Sequence, residues 1–179
     1  HAGKTLSFAP AEYYLVSGKK TKLIGWYPRR SGVSYTQGTR VVDFGEIDGK
    51  TDLMATVLYE GSKGTKISSI TFNHLLTQFS IKVYAPDAAA QGLWGTVSSI
   101  KIAEKKQTCT ITLPAATEAA NTAAAPTFTG NSDLDLVNTD LTTSPAATIN
   151  YPLTLGVGTA ANAAQAGYAM FAPQTTGNE

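Results

Sequence analysis

Apolar and polar residues alternate with a period of two in short stretches along this chain, and Gly, Pro and Asp separate the stretches at the spacing of a β-sandwich. Leu6–Phe8 is a first short strand, and Gly18 with Lys19 and Lys20 reads as a turn into a strand over Lys22–Tyr27, which Pro28–Gly32 breaks. Val41–Ile47 and Leu53–Tyr59 flank Asp48-Gly49, whose tolerance of positive φ predicts a tight hairpin between the two. From Ile67 to Tyr84 the apolar set changes phase, with Ile70 and Phe72 on even positions and Phe79, Ile81 and Val83 on odd ones. A strand cannot change face without an interruption. Because Leu75 and Phe79 are four apart, a short helical turn or a bulge is expected over Leu75–Gln78. Trp94–Ile102 shifts phase again around Ser98-Ser99, whereas Cys109, Ile111 and Leu113 alternate cleanly and should share the buried face of one strand.

After Pro114 the texture changes. Ala115 to Ala125 is almost entirely Ala, Thr and Asn, open to a short helix or a surface loop, and Asn131 to Ser144 is acidic and polar. Segment 115–146 therefore reads as loop-rich. Strand character returns at Ala147–Leu155 and Gly167–Phe171, giving at least eight candidate strands, no convincing amphipathic helix and no fixed-period repeat. The expected class is all-β. With 179 residues, 42% of them hydrophobic and 15% charged, the chain can bury a core without metals or several disulfides.

Charge adds an asymmetry. All 14 Lys and Arg lie at or before Lys106, so residues 1–106 carry +6 and residues 107–179 carry −5. The basic residues are dispersed, with no run longer than two, and no basic stripe interleaved with aromatics marks a nucleic-acid surface. The single cysteine, Cys109, excludes an intramolecular disulfide and a thiolate zinc cage. No stretch approaches the ~20 apolar residues of a membrane helix.

Motifs for chemistry are few. His-Glu-x-x-His, Gly-x-Ser-x-Gly and Cys-x-x-Cys are missing, and Gly45–Thr51 has the wrong glycine spacing for a phosphate-binding loop. Cys109 and His74 can be paired on paper as nucleophile and base, but Cys109 sits in an apolar alternation that suits a core residue. For His74 the expectation is a ring nitrogen that satisfies a backbone group freed by the nearby irregularity. Asp43, Asp48 and Asp52 lack the dense acidic loop of a Ca²⁺ site and read as solvated turn carboxylates. No catalytic, metal or cofactor site is expected. Trp26 and Tyr27 are adjacent on one strand and so face opposite ways; one belongs to the core and the other offers a ring on which a ligand such as a sugar stacks.

The run from Ile70 to Val83, with Phe72, His74 and Leu76 spaced as Phe-x-His-x-Leu, resembles a segment of the fimbrillin-like proteins of Bacteroidales bacteria. Leu23–Pro28, containing Trp26, Tyr27 and Pro28, and Gly49–Met54, containing Asp52 and Leu53, resemble the segments that precede it there. Trp94-Gly95 through Ile102, and Gly167 through Pro173, match downstream segments in the same order. Each motif is short, but the ordered set spans nearly the whole chain.

The resemblance implies a transthyretin-like β-sandwich of about seven or more mainly antiparallel strands, residues 1–179 forming one N-terminal domain of a fimbrial or pilus subunit. It implies export as a lipoprotein precursor, a place in a cell-surface fimbria at the outer membrane, cleavage by an arginine-specific protease, and assembly with other subunits by donor-strand exchange. Trp26, Tyr27, Pro28, Asp52, Leu53, Phe72, His74, Leu76, Trp94 and Gly95 are then structural motif residues, with no catalytic role. The family's usual second domain, with its C-terminal donor strand, is expected to be missing, since Pro173–Glu179 is too polar to fill an apolar groove. Two rival readings are a glycan-binding surface lipoprotein using Trp26 and Tyr27, with a host or bacterial surface glycan or protein as partner, and, more remotely, a hydrolase using Cys109 and His74.

Overall fold

The computed structural model describes residues 7–136, apart from 9 and 17, and residues 151–173. The strands in chain order are β1 (Thr21–Leu23), β2 (Trp26–Tyr27), β3 (Ser34–Thr36), β4 (Val41–Glu46), β5 (Met54–Ala55), β6 (Tyr59–Gly61), β7 (Asn73–His74), β8 (Thr77–Ala85), β9 (Thr96–Val97), β10 (Lys101–Thr112), β11 (Ala125–Asp135), β12 (Leu153–Thr154), β13 (Gly156–Val157) and β14 (Ala164–Phe171). One helix, α1 (Ala88–Trp94), and a 3₁₀ turn at Ala160–Asn162 complete the described elements. The fold is all-β, as the alternation predicts.

One layer is the four-stranded sheet β11-β10-β4-β3, antiparallel throughout. Cys109, Ile111 and Leu113 are all buried, sharing one face as their spacing demands, and they pack with Val42 and Phe44 of β4. The facing layer is made of two smaller sheets, β2-β5-β7 and β13-β8-β14. Leu53, Ala55, Leu76 and Met170 come from that side to close the first apolar cluster. A second cluster gathers Leu134, Leu136, Ala166, Ala169 and Phe171. Since Met170 belongs to the first and Phe171 to the second, β14 buries both of its faces and joins the two cores. The long β10/β11 ribbon serves both because it is broken mid-length: Glu104 has φ 56, Gly130 has φ 85, and the register shifts around Lys106.

The Asp48-Gly49 hairpin does not form. Gly49 does adopt positive φ (73°), but β4 already has β3 on one edge and β10 on the other, and Ile47 N–H extends the latter pairing to Gln107 O at 2.7 Å. No edge is left for β5. Asp48 Oδ1 instead accepts from the N–H groups of Lys50 and Thr51, turning the chain across to the other layer, where β5 pairs with β2 and β7. The interruption expected over Leu75–Gln78 is real in position but contains neither a helical turn nor a bulge. β7 ends at His74, Leu75-Leu76 bridges, and β8 begins at Thr77 in a different sheet. The phase changes because the two strands serve different sheets.

Two further elements depart from expectation. Segment 115–146 contains the eleven-residue strand β11, while 115–124 takes the loop alternative, held by Leu58 N–H to Thr122 O and Asn121 N–H to Leu58 O. Ala88–Trp94 is helical, with Asp87 Oδ1 capping Ala90 N–H at 2.7 Å and Gly95 (φ 64) ending it; none of its residues is buried. Trp94 therefore ends a helix and does not begin a strand. Ser7 and Phe8 are in no strand, and Leu6, Ala147–Asn150 and residues 137–146 lie outside the described residues. Among the described residues no helix is long and apolar enough to cross a membrane.

Candidate functional site

The β2-β5-β7 sheet collects most of the residues singled out in the sequence. Tyr27 pairs with Met54, which pairs with His74; Trp26 pairs with Ala55, which pairs with Asn73. Just outside the ladder, Gly25 and Thr56 exchange bonds: Thr56 N–H donates to Gly25 O, and Gly25 N–H donates to Thr56 Oγ1, each at 2.9 Å. The Phe72 ring lies on Gly25 so closely that a Cβ there would stand 3.3 Å from its Cζ. A side chain at 25 would have to push that ring away. Leu53 and Leu76 are in the core, Pro28 is buried, and Trp26 packs half-buried against the first cluster with its ring 5.3 Å from that of Tyr35. Tyr27, on the opposite face, is 48% exposed. Trp94 and Gly95 are not part of this assembly; they close α1, and the Trp94 side chain projects into solvent.

His74 Nδ1 lies 2.6 Å from Asp52 Oδ2, so its partner is a carboxylate and not the backbone group expected. The imidazole is largely exposed, whereas Asp52 is mostly covered and its Oδ1 is buried with no hydrogen-bond partner. Burial raises the Asp52 pKa, and the adjacent imidazole and the Leu53 N–H only partly offset it. Nearby, burial raises Asp48, but bonds from the Thr51 hydroxyl, the Lys50 and Thr51 amides and Arg30 outweigh it and hold the carboxyl below its ordinary range. Asp43 Oδ1 accepts from Gly45 N–H. The three aspartates thus serve three separate local roles, and no group of three or more His, Cys, Asp or Glu among the described residues is placed to hold a metal.

Cys109 has no solvent exposure. Desolvation, with the Asp43 charge as a second cause, pushes its thiol up to about 12, so the thiolate a nucleophile needs is not formed near neutral pH. Its burial fits the core role that its apolar alternation suggests, not that of the nucleophile in a Cys109–His74 pair.

The second notable place is β8. Its residues Thr77–Val83 pair antiparallel with β14 on one side, but on the other side β13 covers only Tyr84 and Ala85. From Phe79 to Val83 the described residues place a strand on the β14 side alone. On that stretch Phe79 is 46% exposed and stacked on Phe171 at 4.7 Å, and Ile81 and Val83 are half-buried on the second cluster. The alternation of Phe79, Ile81 and Val83 is visible in the sequence; that, among the described residues, their strand is paired on one edge alone is not.

A β-sandwich in which, among the described residues, an apolar strand is paired along one edge over Phe79–Val83 has the build of a structural protein that works through its β-surfaces. Residues 1–179 match the sequence model of the fimbrillin-like family, and the chain belongs to that family. Its members are structural pilus subunits, which makes this a fimbrial subunit, located in cell-surface fimbriae and partnered by other subunits. No curated protein and no solved structure is significantly similar to it.

Proposed function

We propose that this subunit joins its neighbours by strand complementation at the open edge of β8, with residues 1–179 acting as one domain of the N-terminal kind and export and processing as a lipoprotein precursor. The observation that carries the reading is the stretch Phe79–Val83: an edge whose ladder positions are free of a strand among the described residues, beside alternating apolar side chains, is what an incoming strand requires. Main-chain bonds supply affinity there, and Phe79, Ile81 and Val83 set which side chains fit. Phe79→Lys places a charge on that edge. Electron microscopy of cells making this variant should show the chain on the surface by immunoblot but few or no filaments; wild-type filament numbers would reject the edge as the joint.

The exposed ring of Tyr27 keeps a second reading in play, in which the surface of the β2 strand stacks on a glycan. Tyr27→Ala should then abolish retention on a glycan array without lowering the melting temperature, and unchanged or absent retention in the wild type removes this reading.

A further inference from the structure

Positive charge and apolar exposure come together where β1 and β6 leave their ladder. Thr21 pairs with Gly61, so the chain before Thr21 and the chain after Gly61 emerge at the same end. Lys19 and Lys20 stand before Thr21. After Gly61 comes a turn closed by Ser62 N–H to Thr65 O at 2.8 Å and Thr65 N–H to Ser62 Oγ at 3.1 Å, with Lys63 inside it and Lys66 just beyond. All four lysines are exposed.

One side chain lays residues 11–16 against this turn. Tyr14 is half-buried: its hydroxyl accepts from Ile67 N–H at 2.7 Å, and its Cε1 would stand 3.1 Å from a Cβ on Gly61. Pinned there, Tyr14 leaves its neighbours outside. Tyr13 is 84% exposed, Leu15 50% and Val16 88%. Three large apolar side chains around one anchor make a patch, which a single exposed residue does not.

The charge beside the patch is one-sided. Residues 11–23 and 59–67 hold five lysines and two carboxylates, Glu12 and Glu60. Glu60 is taken up by Lys20 at 2.5 Å and Lys22 at 3.5 Å, and Glu118, whose carbonyl receives Lys22, turns its carboxylate to Ala115 N–H. Against Lys19, Lys63 and Lys66 stands Glu12, so the patch is flanked by net positive charge.

We propose that this end of the subunit docks on an anionic lipid bilayer, with Tyr13, Leu15 and Val16 entering the headgroup boundary and the flanking lysines meeting lipid phosphates. The assignment needs both halves of the surface. A soluble polyanion would use the lysines and leave Leu15 and Val16 in water, and an apolar protein face would leave the lysines without a counter-charge. At a bilayer each has a place: the tyrosine ring sits in the apolar boundary with its hydroxyl in the wet layer, the aliphatic side chains insert, and the lysine stems extend until the ammonium groups reach phosphate. This surface shares no residue with the β8 edge, so it is independent of how subunits join.

The test is flotation of the intact chain with vesicles of phosphatidylcholine alone and of phosphatidylcholine mixed with phosphatidylglycerol. The chain should float with the anionic vesicles and not with the neutral ones, and salt should weaken the capture. Each lysine near an anionic surface strengthens partition about fivefold, so Lys63→Gln with Lys66→Gln should weaken it about twenty- to thirtyfold. Tyr13→Ser with Val16→Ser should weaken it about tenfold or more. All four side chains are exposed, so neither pair should shift the melting temperature, and Lys82→Gln with Lys101→Gln, exposed in other sheets, should float as the wild type does. No capture by anionic vesicles, equal capture by neutral ones, or a serine pair or a Lys63/Lys66 pair that floats like the wild type overturns the proposal. So does retention on dextran sulfate without capture by vesicles, which would make the surface a polyanion site.

Discussion

Thr56, Cys109 and Gly49 show how single atoms decide this fold. Thr56 is 2% exposed, and its hydroxyl is the acceptor for Gly25 N–H. Thr56→Val keeps the volume but leaves that amide without a partner, and urea denaturation should show a loss of about 1–3 kcal/mol. Cys109 works as a small core residue. Its thiol pKa is raised in the folded chain to about 12 from an ordinary 9.0, so the stability it contributes is complete below pH 9 and is lost as pH rises through about 12. Wild type should therefore lose more stability between pH 9 and pH 11 than Cys109→Ala does, and a thiol reagent at pH 8 should label Cys109 only after unfolding. Gly49 carries φ 73, its carbonyl accepts from Met170 N–H, and a Cβ would stand 3.2 Å from Leu134 Cδ1. Gly49→Ala should cost about 1–2 kcal/mol from the backbone alone, measurable in the same urea titration.

Among the elements, those visible in the sequence are the ones whose two faces meet different solvents. Cys109, Ile111 and Leu113 alternate because β10 has a core face and a polar face, and the phase break after His74 is visible because the chain passes there from one sheet, through Leu75-Leu76, into another. β11 escapes detection because, of its eleven residues, only Leu134 is buried and Phe128 half-buried, so Thr, Asn, Ser and Asp fill it as they would a loop. The α1 helix escapes for the related reason that it buries nothing and shows no apolar stripe; Asp87 before three alanines, with Gly95 at the end, is the signal that could have found it. The hairpin at Asp48-Gly49 misleads because local turn chemistry fixes the bend but not the partner, and both edges of β4 are taken by β3 and by β10, which lies more than 50 residues further on. The candidate site divides likewise: its motif residues are readable, whereas the Asp52–His74 bond and the open edge of β8 are products of the tertiary arrangement. At this scale Asp87→Ala should speed amide exchange in residues 88–94 without shifting the melting temperature by more than about 1 °C, since none of the residues of α1 is buried.

For the molecule as a whole, two apolar clusters joined through β14 and a sheet layer divided into short pieces give a body with a firm core and several thinly held edges. Family membership supplies the setting in which such edges matter, a fimbria built of subunits. The most direct measurement is immunogold electron microscopy of cells producing the full-length protein, with antibody against this chain. The account predicts gold particles along filaments in the wild type and loss of those filaments, with gold left at the cell surface, in Phe79→Lys; filaments that never carry label, or labelled filaments unchanged in Phe79→Lys, would contradict it.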